Sequence, residues 1–303
     1  MGTENSKSLN YNNLIELFNK PDVLQHLCDE HNKILNKKTQ GTFNVCMSGE
    51  NLKKNRYPDA PCFDHSRVIL KSEKNYGGYI NASHVDGFEH PKKYIVSQSP
   101  LEETVSDWWN MIWEQKCQLI IMLCKYVENG RSQCYRYWSP IEGTTLEIGS
   151  LMVKTIEVCS TYKNFQITSI DVTHKDGGHL RLTHFLYEKW QEHHTSPVEQ
   201  DFLHFLLMTK IYYQCLVTQK LDNRCRTHSN SPILVHCNSG LARAMTFCAV
   251  DIALSSLIKT GKFNLYSIVS NLRKQRYNCL FDVNQYIFCY TILLCYVELY
   301  LSH

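Results

Sequence analysis

The chain has no pair of cysteines at C-x-x-C spacing, although 14 cysteines are spread over its 303 residues. That absence argues against a zinc ribbon and against a dithiol redox motif. The cysteines keep no repeated spacing, and no signal peptide is read at the start of the chain, so a disulfide framework is not expected. They are read as reduced thiols, and the compartment as cytosolic. The 14 histidines do not gather into ligand-like sets. His174 and the pair His193-His194 read as surface residues, and neither a metal nor another cofactor is expected.

A surplus of one charge is also missing. The formal balance of +3 is too small to mark a nucleic-acid surface and permits only a modest preference for anionic ligands. No apolar run is long enough to cross a membrane. Ile287 to Leu301 comes closest, and Glu298 interrupts it, which reads as a buried C-terminal helix. No internal repeat is present, and no linker divides the chain. The opening Met-Gly-Thr-Glu-Asn-Ser6 fits the minimal N-myristoylation pattern at Gly2, a weak lipid anchor at most.

What is present is a globular composition, 43% hydrophobic and 20% charged, enough to build a core. Residues 1–12 are polar and read as a flexible N-terminal segment, ahead of one domain over 13–303. Leu14 to Leu35 carries helical spacing, with Pro21 placed to start a second helix. Gly41 to Gly77 reads as loop-rich. Tyr79 to Gln98 predicts two strands around a turn at Asp86-Gly87. Val105, Trp108, Trp109, Ile112 and Trp113 share one helical face, and Leu119 to Leu123 predicts a short, central, fully apolar strand. Gln133 to Tyr187 predicts successive strands with turns at Glu142-Gly143 and Asp176-Gly177-Gly178. An apolar helix over Phe202 to Leu216 follows, and a basic loop over Lys220 to Pro232. Three helical segments close the chain: Arg243–Ile258, Asn264–Arg276 and Asn284–Tyr300. The pattern is α/β, a sheet buried among helices.

The most informative segment runs Ile233-Leu-Val-His-Cys-Asn-Ser-Gly-Leu-Ala-Arg-Ala-Met245. It predicts a strand, a short loop and a helix start. A loop entering a helix points backbone N–H groups at one spot, where the helix N-terminus adds positive potential. Cys237 at the base of such a loop is expected to be driven toward thiolate. Arg243 can grip two phosphate oxygens with its planar fork. The plain alternative is a buried structural cysteine, since cysteine is among the most buried residue types.

This Cys-x5-Arg loop resembles the phosphate-binding loop of cysteine-dependent protein-tyrosine phosphatases. The resemblance runs from about Glu30 to Tyr300 with its segments in the family's order. Lys54-Asn-Arg-Tyr57 resembles the phosphotyrosine-recognition loop, and Phe63-Asp-His-Ser-Arg-Val68, Tyr79-Ile-Asn-Ala-Ser83 and Ser97-Gln-Ser-Pro100 follow. Trp113-Glu-Gln115 and Cys134 to Trp138 are similar to the middle strands, Leu272-Arg-x-Gln-Arg276 and Gln285-Tyr-x-Phe288 to the C-terminal helices. The resemblance implies a single phosphatase-like domain with a twisted mixed sheet flanked by helices. Glu30-His31, Gly41-Thr42 and Pro61-Cys62 further resemble the single-domain phosphatases of polydnaviruses, the bracoviruses carried by parasitoid wasps. That implies a host-cell cytoplasm, phosphotyrosine-containing host proteins as partners, and interference with host signalling.

By the resemblance, Cys237 is the nucleophile that forms a phosphocysteine intermediate, and Arg243 binds the phosphoryl oxygens. Asn238, Ser239, Gly240, Leu241 and Ala242 form the cradle. His236 orients the loop by hydrogen bonding. Glu128 falls where the family holds this arginine with a carboxylate, or else is an exposed turn residue. Tyr57 lines the pocket against the substrate ring. Asp59 falls where an acid contacts the substrate backbone, or else is a turn residue after Pro58. Several positions depart from the family. Trp190-Gln191-Glu192 stands for Trp-Pro-Asp, which makes Glu192 the candidate general acid on a side chain one methylene longer. His194 and Ser196 replace a glycine and a proline beyond it. Ala242 replaces a glycine, with strain of roughly 1 kcal/mol expected if that position needs a positive φ. Ala244 replaces a hydroxyl residue, Met245 a glycine, and Phe281 a glutamine that places the hydrolytic water, while Gln285 remains and the adjacent Asp282 is expected to substitute for the lost glutamine only in part. Two functions follow: slow hydrolysis of phosphotyrosine in proteins, or a pseudophosphatase that binds and traps phosphotyrosine proteins.

Overall fold

The computed structural model describes residues 8–71, 78–190, 197–222 and 231–301, with the side chains of 219–222 left aside. The helices are α1 (Tyr11–Phe18), α2 (Val23–Leu35), α3 (Gly49–Leu52), α4 (Val105–Gln115), α5 (Glu199–Asp222), α6 (Arg243–Thr260), α7 (Leu265–Gln275) and α8 (Val283–Tyr300). The strands are β1 (Arg67–Ile69), β2 (Tyr79–Val85), β3 (Tyr94–Gln98), β4 (Leu119–Met122), β5 (Val127–Glu128), β6 (Arg131–Ser132), β7 (Thr145–Ile148), β8 (Leu151–Cys159), β9 (Gln166–His174), β10 (His179–Leu186) and β11 (Ile233–Cys237). Among the described residues nine strands form one mixed sheet in the order β1-β2-β3-β11-β4-β10-β9-β8-β7, and β5 pairs with β6 as a separate hairpin.

The centre of the sheet is parallel: β3, β11, β4 and β10 all run the same way. Parallel strands covered on both faces read as continuous apolar runs. Every residue of β3, β4 and β11 is buried, with Val235 set between Val96 and Ile121. The outer strands pair antiparallel, and β8 alternates buried and more exposed residues, the pattern of a sheet with one wetter face. α6 packs on β11 and β3, and α7 on β2. α6 is buried nearly all round from Arg243 to Leu254, which marks a central helix rather than a surface one, and it ends at Gly261 in the left-handed region, φ 71°. The chain reaches its catalytic candidates at the C-terminal end of β11, where ligands bind in open α/β sheets.

Several expectations shift. Leu9 is bridged to Phe263 and α1 begins at Tyr11, capped by Asn10, so regular structure reaches back into the segment set aside as flexible. Residues 1–7, with Gly2, lie outside the described residues. Gly41–Gly77 holds β1 and α3 in addition to loops. Cys134 to Trp138 is not a strand: it is irregular chain pinned by the buried rings of Tyr137 and Trp138. α5 continues through Asp222 into the expected basic loop. His174 is half-buried and stacks on Trp113, while His193 and His194 lie outside the described residues. Every described cysteine is a free thiol. No helix among the described residues is long and apolar enough to cross a membrane.

Candidate active site

The β11–α6 turn folds its amides around one sulfur. Cys237 Sγ is buried and accepts the Gly240 N–H at 3.3 Å and the Ala244 N–H. Gly240 is the position where the backbone needs glycine. Its φ is 69°, and a Cβ there would sit 2.4 Å from the Ser97 carbonyl oxygen. Ala242, expected to carry that strain, has φ −97°, so the strain of a positive φ does not arise there. Asn238 Oδ1 accepts the Ser239 N–H, and Ser239 Oγ accepts the Leu241 N–H. Ser99 Oγ donates to the Cys237 carbonyl at 2.8 Å, which ties the loop's first residue to the chain after β3.

Arg243 is 3% exposed. Its Nη1 donates at 2.8 Å to Glu128 Oε1 and at 2.8 Å to the Trp190 carbonyl. Its Nη2 is buried and has no protein partner among the described residues. Glu128 reaches it because Asn129 and Gly130, at φ 51° and 73°, close the tight β5–β6 hairpin. The carboxylate is buried and also accepts the Lys125 N–H at 2.9 Å. The turn residues of this hairpin are therefore Asn129 and Gly130, and Glu128 is the buried residue beside them. Trp190 is clamped edge-on between Phe202 and Phe288. Gln191, Glu192, His194 and Ser196 lie outside the described residues, and Glu192 is two positions along the chain from that clamp.

A buried polar chain lies behind the loop. The Tyr137 hydroxyl is 2.7 Å from His236 Nε2 and 2.7 Å from His184 Nε2, so it donates to one imidazole and accepts from the other. Burial holds His184 well below the usual imidazole range, which keeps it neutral. His236 is thus held by hydrogen bonds, with its ring edge-on to Trp108. Tyr57 is half-buried, and its hydroxyl accepts from Asn238 Nδ2 at 3.3 Å. Its loop is pinned where Gln98 Oε1 accepts the Arg56 N–H and Gln98 Nε2 donates to the Lys54 carbonyl. Asp59 is exposed, in the turn closed by the Ala60 N–H to the Tyr57 carbonyl. Phe281 is 51% exposed, Asp282 accepts the Asn284 N–H as the cap of α8, and Gln285 Oε1 is buried without a partner among the described residues.

Four contributors escaped sequence reading. The Trp190 carbonyl is backbone, invisible in a residue pattern. Tyr137 and His184 come together only through the sheet. Arg276 stood inside a matched motif without a role. It is fully buried and donates to the carbonyls of Ser239 and Gly240, to Asn81 Oδ1 and to Cys62 Sγ.

Opposing effects act on the Cys237 sulfur. Burial pushes the thiol up, and the Arg243 charge and the amides of Ala244 and Gly240 pull it down. The loop thus supplies the groups that favour a thiolate, and burial works against them. Carboxamidomethylation of Cys237 by iodoacetamide, followed by peptide mass spectrometry, should climb as pH rises above neutrality. The charge-removing pair Arg243→Met with Glu128→Gln should move that climb higher still. A climb centred below neutrality would contradict this balance.

No group of histidine, cysteine or carboxylate side chains able to hold a metal comes together among the described residues. The family model for protein-tyrosine phosphatase matches residues 51–295. Tyrosine phosphatase H2 of Microplitis demolitor bracovirus (isolate Webb) is 38% identical, over 97% of this chain and 90% of its own. Tyrosine phosphatase-like protein J1 of the same virus is 36% identical over 98% of both. Human tyrosine-protein phosphatase non-receptor type 9 is 34% identical over 90% of this chain, which spans 46% of that protein.

Proposed function

The chain belongs to the protein-tyrosine phosphatase family, and on that premise we propose that it hydrolyses phosphotyrosine in proteins through Cys237. The observation that carries this reading is the Arg243 guanidinium. One nitrogen is engaged by Glu128 and Trp190, and the other is buried without a protein partner among the described residues. An unpaired buried donor is costly, and a phosphoryl oxygen satisfies it.

In the proposed reaction, Cys237 Sγ, as thiolate, forms a bond to phosphorus while the tyrosyl oxygen leaves with the bonding pair. Glu192 supplies the proton that this oxygen needs. Arg243 Nη2 and the loop amides hold the equatorial oxygens as charge gathers there. Water then attacks phosphorus, the sulfur leaves, and inorganic phosphate is released. Tyr57 packs on the substrate ring, and Asp59, which is exposed, contacts the substrate backbone. His236 positions the loop and moves no proton. The bracovirus names of two relatives support a host-cell phosphoprotein as substrate, a place in the host cytoplasm, and interference with host signalling. Gly2 is proposed only as a weak lipid anchor.

Capture with slow release is the second reading, and Ala244 with Asp282 favours it. Ala244 offers the sulfur an amide but no hydroxyl, and Asp282 is committed to the α8 cap. Both should slow breakdown of the phosphoenzyme. Phosphate release from a phosphotyrosyl peptide separates the two. Vanadate-sensitive release that disappears in Cys237→Ser is the expected result. Peptide binding without release would favour capture, and absence of both would defeat the site. Glu192→Asp should raise the rate by up to about 10²-fold, the usual effect of correcting an offset near 1 Å.

A further inference from the structure

A cavity of about 270 Å³ lies beside the grip on Arg243. Its walls come from the turn after β4 (Lys125), the β8–β9 connection (Tyr162, Lys163, Phe165) and the segment after β10 (Glu188, Lys189). Tyr162 and Phe165 stack, with centroids 4.5 Å apart and planes 14° from parallel, so one wall is a firm aromatic surface. Three lysines and one glutamate are among the lining residues, Lys125 half-buried and Lys163, Lys189 and Glu188 exposed, and none of the three lysines has an ion-pair partner among the described residues. The half-buried Lys54, Lys93 and Lys210 are paired, with Asp107, Asp251 and Asp251 in turn, whereas the half-buried Lys125 of this lining is not. Like charges gathered around a concavity raise the local potential and attract an anion.

The cavity is joined to the catalytic grip through the backbone on both sides. The Lys125 N–H donates to the same Glu128 oxygen that holds Arg243. Lys189 precedes Trp190, whose carbonyl accepts from Arg243. We propose that this cavity is a second anion subsite, which takes a phosphate monoester on another side chain of the same phosphoprotein. The inference rests on the phosphatase reading above and narrows its substrate to multiply phosphorylated proteins.

The test compares phosphotyrosyl peptides of one sequence, unmodified or bearing phosphoserine or glutamate stepped through the flanking positions, at low ionic strength. p-Nitrophenyl phosphate serves as the control substrate that cannot reach the cavity. At one spacing, phosphoserine should lower KM about fivefold, the upper range for an exposed charge pair. Lys163→Ala should abolish that preference and Lys163→Glu should reverse it, with p-nitrophenyl phosphate turnover unchanged in both. Equal KM at every spacing, or a preference that survives Lys163→Glu, overturns the subsite. Glutamate equal to phosphoserine overturns the assignment to phosphate. Failure of the wild-type protein to turn over p-nitrophenyl phosphate defeats the phosphatase reading instead; peptide binding by fluorescence anisotropy then reads the subsite by the same lysine-dependent difference.

Discussion

Arg243→Lys should cut kcat/KM for a phosphotyrosyl peptide about a thousandfold while leaving the melting temperature nearly unchanged. The two terminal nitrogens of the guanidinium are divided in use. One nitrogen serves Glu128 and the Trp190 carbonyl, and the other is left for the substrate. A lysine ammonium is a point charge on a flexible stem and cannot keep both sides of that division at once. Removing a donor aimed at developing negative charge costs roughly 10²–10³-fold in rate. The charge opposite Glu128 survives in this variant, so the buried carboxylate is not stranded. Arg243→Met does strand it, and should lose about 3–5 kcal/mol of stability in addition to activity. If Arg243→Lys keeps its rate within about tenfold, the fork is not the phosphate grip.

Asp251→Ala should be the most damaging change remote from the site, at about 3–5 kcal/mol in chemical denaturation. Asp251 sits on α6, almost wholly buried. Lys93 is 2.5 Å away, Lys210 is 2.8 Å away, and the Tyr94 hydroxyl donates to it. Losing the carboxylate leaves two ammonium groups facing each other at the back of the central strands. The same cluster sets an acid limit. Burial alone would raise the Asp251 carboxyl, but Lys93 and Lys210 hold it well below the usual carboxylate range. A depressed folded-state value means the stabilisation is fully present above the unfolded value, about 3.9, and is lost as pH falls through the folded value. Melting temperature should therefore fall steeply below about pH 4, and the fall should be shallower in Asp251→Asn. Parallel curves for the two proteins would remove this cluster as the cause.

Much of the fold was legible because its central strands are short apolar runs bounded by turn residues. Ile233–Cys237 and Leu119–Met122 sit where continuous burial placed them. Cys134–Trp138 reads as a middle strand from the resemblance, yet the Tyr137 and Trp138 rings are held by tertiary partners rather than by a ladder. Cys237, Arg243, Glu128 and Tyr57 do come together, because the loop and the Asn129-Gly130 hairpin encode their local shapes in sequence. The conformation of Ala242 was not legible, since which loop residue takes a positive φ depends on how closely Gly240 passes Ser97. How deeply the sulfur is buried was not legible either, because it depends on everything packed around the loop.

Arg276 has one more consequence. It clamps the Ser239 and Gly240 carbonyls from the far end of α7, and the Leu280 N–H holds the Leu241 carbonyl from just beyond it. During synthesis the nucleophile is therefore made before the residues that shape its surroundings. A nascent chain halted ahead of Arg276 lacks both holds on the loop carbonyls, so the cradle is completed only well after its cysteine has been added.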